Sequence, residues 1–230
     1  MNRFPLVDVI IPAYNEEESI PKVLAEIPDF VRNIVVANNN SSDNTASVAE
    51  KSGAVVVFEP QKGYGMACLT AMDWIRKQET PPEIIVFLDG DYSDFPEQMR
   101  DLIDPIIHDD VDMVIGSRSL GERASGSMTP PQIFGNWLAT SLMKHIQGAH
   151  FTDLGPFRAI KWDKLLALEM KDENFGWTIE MQIKAHKAGL SYVEVPVNYR
   201  KRIGVSKVSG TVKGVIGAGY KIILTIFRYW

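Results

Sequence analysis

Ile84-Ile85-Val86-Phe87-Leu88-Asp89-Gly90-Asp91 decides how this 230-residue chain folds. Five apolar residues, the first three β-branched, run straight into two carboxylates separated by one glycine. An uninterrupted apolar run of that length reads as a strand buried on both faces of a parallel sheet. Ligands of open α/β sheets bind beyond the carboxyl ends of such strands, so the run delivers Asp89 and Asp91 to a site at a sheet edge. Gly90 lets the backbone between them turn tightly. Neighbouring carboxylates repel unless a cation lies between them. Their hard oxygens suit Mg²⁺ or Mn²⁺ carrying a diphosphate. Asp-Gly-Asp is also ordinary turn chemistry, and the rest of the chain favours the first reading.

Toward the N-terminus, residues 6–11 read as a first buried strand with Asp8 near its start, ended by Pro12-Ala13-Tyr14-Asn15-Glu16-Glu17-Glu18. Helical spacing follows at Ile20, Val23, Leu24 and Ile27, and the three glutamates suit the positive end of that helix. Residues 33–37 form a second strand, stopped by Asn38-Asn39-Asn40-Ser41-Ser42-Asp43, a cluster that turns the chain and caps a helix. Residues 54–58 form a third, after which Lys62-Gly63-Tyr64-Gly65 opens a helix to about residue 77. Beyond Asp91, Pro96 begins a helix at its tolerated first turn, and residues 112–115 make a fifth strand ending in Gly116-Ser117-Arg118. Alternating strands and helices predict βαβ units, a mainly parallel sheet, and polar loops gathered on one edge.

The second half reads differently. Residues 120–131, rich in Gly, Ser, Pro and Thr, are expected to be a mobile surface loop. Helices are predicted at 132–147, 162–170 and 179–188, and a short strand at 191–195. A basic segment, Arg200-Lys201-Arg202-Ile203-Gly204-Val205-Ser206-Lys207, precedes an apolar tail. In that tail Val212, Val215, Ile216, Ile222, Ile223, Ile226 and Phe227 could share one helix face, with Lys213, Lys221 and Arg228 beside it. Tyr229 and Trp230 suit a membrane interface. An interfacial helix and one packed on the protein's own core or on a second subunit are both open.

The length fits one α/β domain, taken as residues 1–210, followed by the C-terminal helix at 211–230. A net charge of −5 argues against nucleic acid as a partner. The single cysteine, Cys68, excludes an internal disulfide and points to a reducing compartment, and the residue sits at a helical core position. No signal-peptide pattern precedes the first strand and no apolar run reaches transmembrane length, so a cytoplasmic protein is expected, peripheral at most on a membrane face. His145, His150 and His186 lack metal-ligand spacing with one another.

Taken together, Ile11-Pro12-Ala13-Tyr14-Asn15-Glu16-Glu17, the Asn-rich turn ending at Thr45, Lys62-Gly63-Tyr64-Gly65, Asp89-Gly90-Asp91, Gly116-Ser117-Arg118, Asp153 with Gly155-Pro156-Phe157-Arg158, Glu180 and the Arg202 to Lys207 segment resemble glycosyltransferase family 2 with the GT-A fold, and within it the dolichyl- or polyprenyl-phosphate sugar synthases. The resemblance implies an inverting, metal-dependent transfer from a UDP- or GDP-linked sugar to a polyprenyl phosphate. It implies that Pro12, Ala13, Tyr14, Glu16, Asn39, Lys62, Asp89, Gly90, Arg202 and Lys207 hold the nucleotide sugar. Asp91 and Asp89 would serve the Mg²⁺ or Mn²⁺, and Arg118 and Arg158 the acceptor phosphate. Asp153, Asp89 and Arg202 are the catalytic candidates, with Glu180 second to Asp153 on the acceptor side. Two departures stand out. Asn38 and Asn39 replace an acidic pair, and Leu-Gly-Pro-Phe-Arg replaces Ser-Gly-Phe-Arg. The membrane-spanning pair that some relatives carry has no counterpart in these residues. Transfer to a glycolipid or other hydroxyl, which would need Asp153 as base, and a non-catalytic nucleotide-sugar-binding module are the alternatives. A nucleotidyltransferase is disfavoured, because no glycine-rich N-terminal loop with a following arginine is present.

Overall fold

The computed structural model describes residues 3–204 and 212–229. Its strands are β1 (Val7–Ala13), β2 (Val31–Asn38), β3 (Val55–Phe58), β4 (Ile84–Phe87), β5 (Met113–Ser117), β6 (Arg158–Lys161) and β7 (Tyr192–Pro196). Between and after them run α1 (Ile20–Ala25), α2 (Thr45–Lys51), α3 (Tyr64–Arg76), α4 (Met99–His108), α5 (Pro130–Gln147), α6 (Trp162–Ala167), α7 (Trp177–Lys187) and α8 (Val212–Arg228). The strands form one sheet in the order β3-β2-β1-β4-β6-β5-β7.

Apolar alternation explains why helices cover both faces. Ile10, Val35, Ile85, Phe87, Met113 and Ile115 point into one core with α3, α5, α6 and α7. Val7, Val9, Ile11, Val36, Ile84, Val86 and Val114 point into the other with α1, α2 and α4. Strands buried on both sides are the signature of a largely parallel sheet, and here β1–β2, β1–β4, β2–β3 and β5–β7 are parallel. Chain order reverses at β1, which has β2 on one side and β4 on the other. That is the switch point at which the loops of an open sheet part to leave a crevice.

The structure adds β6, a four-residue strand antiparallel to both β4 and β5. It lies within residues expected only to carry the Gly155-Pro156-Phe157-Arg158 motif, and Arg158 and Lys161 bracket just two apolar residues, which gives neither an apolar run nor an alternation to declare a strand. α5 begins at Pro130, earlier than predicted, because Thr129 and Gln132 form a capping box. The loop before it is tied down, with Ala124 N donating to the Tyr199 carbonyl (2.8 Å) and Tyr199 N to that of Glu122 (2.8 Å). α6 stops at Ala167, and the chain leaves helical geometry at Glu169, where φ is +46°.

Gly63 and Gly65 admit a close backbone approach. A Cβ at Gly65 would stand 1.8 Å from the Asp172 carbonyl oxygen, and one at Gly63 2.1 Å from that of Glu173. Met66 N donates to the Glu173 carbonyl (3.0 Å), so the 172–176 loop sits on the start of α3. A Cβ added at Gly135, inside α5, would meet nothing within 4 Å. Gly65→Ala should therefore cost about 1–3 kcal/mol through overpacking, whereas Gly135→Ala should gain roughly 0.5–1 kcal/mol of helix propensity. Urea unfolding midpoints of the two variants check the opposite signs.

Candidate active site

The loops that leave β1, β2 and β4 enclose a cleft of about 340 Å³ at the switch point. β1 and the loop after it supply Pro12, Ala13, Tyr14 and Glu16; the end of β2 supplies Asn39; the start of α3 supplies Lys62, Gly63, Tyr64 and Ala67; the turn after β4 supplies Asp89, Gly90 and Asp91. Asn174 and Phe175 come from the loop that sits on the start of α3, and Arg202 arrives from the segment after β7. Of the residues assigned to the nucleotide sugar, all but Lys207 line this cleft; Lys207 lies outside the described residues.

Electrostatics dominate the floor. Arg202 Nη1 is 3.0 Å from Asp91 Oδ2 and its Nη2 donates to Glu16 Oε1 at 3.1 Å, so one guanidinium neutralises two carboxylates. Asp91 Oδ1 accepts from Ser93 N at 2.9 Å. Asp89 accepts a hydrogen bond from the Tyr64 hydroxyl at 3.1 Å. Burial, reinforced by the charge on Asp91, pushes the Asp89 carboxyl up to about 7, against the opposing pull of Tyr64, Arg202 and Arg118. Asp94, which carries no motif signal in the sequence, lies deeper, 2 % exposed with both carboxyl oxygens lacking a hydrogen-bond partner. Burial first, then Asp89 and Asp91, raise it well above the carboxylate range.

Several residues have other occupations than expected. The Asn39 side chain donates to the Gln61 carbonyl (2.7 Å) and accepts from Gly63 N (2.8 Å), so its amide joins the end of β2 to the start of α3 rather than standing open to a base. Lys62 Nζ donates to the Tyr14 hydroxyl (2.9 Å) and lies 4.7 Å from the centre of that ring. Asp153 and Arg118 are outside the cleft lining and locked together. Arg118 donates Nε and backbone N to Oδ2 at 2.8 and 2.7 Å, and Nη2 to Oδ1 at 2.7 Å.

Arg158 corrects the expectation of a second phosphate ligand. It is wholly buried, and its guanidinium donates to the carbonyls of Leu154, Gly155 and Thr178. With no open face, it is a brace for the turn between Asp153 and β6. Glu180 is likewise structural. Fully buried, it accepts from Lys171 N (3.0 Å) and the Tyr229 hydroxyl (2.6 Å), pairs with Lys184 (2.7 Å), and so shapes the loop that carries Asn174 and Phe175. Phe175 and Asn174 have no signal in the sequence, because a loop between two helices carries no periodicity. His186 bonds Tyr192 and the Gln147 carbonyl, and Cys68 is core.

This architecture is the GT-A α/β fold. The chain superimposes on glucosyl-3-phosphoglycerate synthase from Mycobacterium tuberculosis, crystallised with Mn²⁺, UDP and glucosyl-3-phosphoglycerate, with a TM-score of 0.76 at 20 % identity, covering 98 % of this chain and 80 % of that one. The model of glycosyl transferase family 2 matches residues 8–166, and the protein belongs to that family of glycosyltransferases. It is 36 % identical to an uncharacterised glycosyltransferase of M. tuberculosis, over 97 % of this chain and 96 % of the relative. It is 32 % identical to a dolichyl-phosphate hexose transferase of Haloferax volcanii, over 87 % and 85 %. It is 29 % identical to an undecaprenyl-phosphate mannosyltransferase of Micrococcus luteus, over 89 % and 88 %.

The raised Asp89 carboxyl has a stability consequence. Its ordinary value is 3.8 and its folded value about 7, so the folded state holds the proton more tightly. Ionising it costs stability, a cost absent at low pH, growing as pH rises between those values and complete above the higher one. In EDTA, Asp89→Asn should raise the melting temperature by an increment that widens from pH 4 to pH 7 and is constant above. Scanning fluorimetry across that range reads it directly; a variant destabilised in alkaline buffer would contradict the assignment.

Proposed function

We propose that the protein transfers a sugar, with inversion, from a nucleotide diphosphate sugar to a polyprenyl phosphate. The observation that carries the reading is the gathering of Asp89, Asp91 and Glu16 at the switch-point cleft, with one guanidinium spanning the last two. Both carboxylates of the Asp-Gly-Asp turn would serve a Mg²⁺ or Mn²⁺ ion. The donor set fits, since a raised Asp89 carboxyl and an Asp91 needing a cation are the charge pattern that a divalent ion relieves. No cluster of three ligating side chains exists among the described residues. Two carboxylates suit an ion that takes its other ligands from substrate phosphates and water. When bound, the ion acts as a Lewis acid on the departing diphosphate.

The chain's own groups do the rest. Pro12, Ala13 and Tyr14 form the wall against which the nucleoside would lie, and Arg202 is the cation that would meet the diphosphate in place of Asp91. Tyr64 orients Asp89 through its hydrogen bond. Lys207 is proposed to join Arg202 over the donor. Phe175 lines the same cleft and would limit water at the reacting carbon.

For the acceptor, the pairing of Asp153 with Arg118 supports a phosphate. The two Asp153 oxygens take three donors from Arg118, so the acid is already engaged with a cation. A phosphate acceptor is already an anion and needs no base, and Arg118 supplies a planar cation for it. The named activities of the Haloferax and Micrococcus relatives support a lipid-phosphate acceptor. The glucosyl-3-phosphoglycerate bound by the M. tuberculosis synthase supports a small phosphorylated one instead.

Isothermal titration with UDP and with GDP, each with and without Mn²⁺, should show metal-enhanced binding of one nucleotide, lost in Asp91→Asn. Turnover should occur with polyprenyl phosphate and not with the corresponding alcohol. Asp91→Asn should reduce it by roughly a hundredfold or more, and Asp153→Asn by far less than a base deletion would. Transfer to the alcohol, abolished by Asp153→Asn, would establish the hydroxyl reading in its place.

A further inference from the structure

We infer that the exposed apolar side chains of α5 and α8 dock on an anionic lipid bilayer. α8 is apolar on two sides. Ile226 turns inward, buried with Ala139 and Met143 of α5, and Gln147 Nε2 of α5 donates to its carbonyl at 3.1 Å. Tyr220, Ile223, Leu224 and Phe227, spaced i, i+3, i+4 and i+7, turn outward and are 37 % to 68 % exposed. On α5, Ile133, Phe134 and Trp137 are also exposed, with the two aromatic rings 5.7 Å apart. Solitary exposed apolar side chains are normal, but grouped ones mark an interaction surface.

Charge identifies the partner. At the C-terminal end of α8 opens a cleft of about 470 Å³ whose walls include Lys171, Lys187 and Arg228, together with Glu169 and with Lys184, whose charge Glu180 already meets. On a chain of net charge −5 this is a local reversal of sign. Aliphatic and aromatic side chains in a stripe with cations at its rim are the composition of a helix lying in the lipid interface. The rim would meet anionic headgroups. Association with a second copy through the same patch would set that cationic rim against itself. No helix among the described residues is long and apolar enough to cross a membrane, so the contact is one of lying on, not spanning.

The surface also backs onto the active site. Asn136 of α5 holds the segment around Asp153, donating to the Thr152 carbonyl (3.1 Å) and accepting from Leu154 N (2.9 Å). Lys221 of α8 is 3.1 Å from Asp172, at the base of the loop that carries Asn174 and Phe175. Docking thus presents the acceptor side of the enzyme to the bilayer, whatever the acceptor is.

Sedimentation of the full chain, without donor or acceptor, with phosphatidylcholine vesicles that do or do not contain phosphatidylglycerol tests the inference. The wild-type protein should sediment with the anionic vesicles, less as salt rises. The double variants Trp137→Ser/Phe227→Ser and Lys187→Glu/Arg228→Glu should each lower the bound fraction about tenfold while keeping wild-type melting temperature and nucleotide binding. Failure of the wild type to bind either vesicle overturns the inference, as does unchanged binding by both variants. A dimer in light scattering that the apolar variant dissociates, with vesicles ignored, would assign the face to a second copy.

Discussion

Negative charge gathered at one sheet edge is the constraint to which the rest of the molecule answers. Parallel pairing of β1 with β4 carries Glu16, Asp89 and Asp91 to a common crevice. Charges at such separations in a partly desolvated site interact by kilocalories rather than tenths. Folding without ligand is tolerable because Arg202 spans Asp91 and Glu16 and because Asp89 keeps its proton near neutral pH. The same arrangement is poised for exchange, since an ion or a diphosphate that satisfies either partner frees the other. Gly90 belongs to this constraint too. A Cβ there would stand in van der Waals contact with Ile11 and Ile20, each 3.4 Å away, so the turn packs directly on the core beneath it.

The second half of the chain contributes walls rather than charge. Glu180 gathers donors from Lys171, Asp172, Lys184 and Tyr229, and so fixes the 172–176 loop between α3 and α8. The absence of side chains at Gly63 and Gly65 lets that loop settle within hydrogen-bonding distance of Met66. Both glycines therefore serve a backbone contact within the chain, and Tyr64 between them reaches Asp89 from the helix start that the contact holds.

The first half of the fold is legible in the sequence because long apolar runs and turn clusters state their own periods. Its strands fall within a few residues of the expected positions, and Glu16, Asp89, Asp91 and Arg202 converge as the motif order implies. β6 is not legible, since Arg158–Lys161 owes its strand geometry to the slot between β4 and β5 rather than to its own pattern. Nor can sequence separate Arg118 from Arg158. Both are arginines beside glycine-containing turns, yet one pairs with a carboxylate and the other with carbonyls. Asn39 and Asp94 escape for the same reason, because whether a polar side chain is satisfied depends on backbone brought from far along the chain. For the tail helix the spacing suggests a single apolar face. The structure divides it, with Ile222 and Ile226 inward and Ile223 and Phe227 outward.

That division of polar partners bears on which acceptor the proposed reaction takes. Removing one member of a buried ion pair costs on the order of 3–5 kcal/mol, because the other is left charged and unmet. Asp153 is 1 % exposed at its side chain and Arg118 11 %, so the exposed edge of the pair belongs to the cation. A proton placed on Asp153 in each turnover would weaken its pairing with Arg118. A phosphate could approach the open edge of the guanidinium while the pair stayed intact, and Asp153 would then hold Arg118 in the plane the anion meets. The acid at this position is better suited to aiming a cation than to accepting a proton, and this favours an acceptor that arrives already ionised.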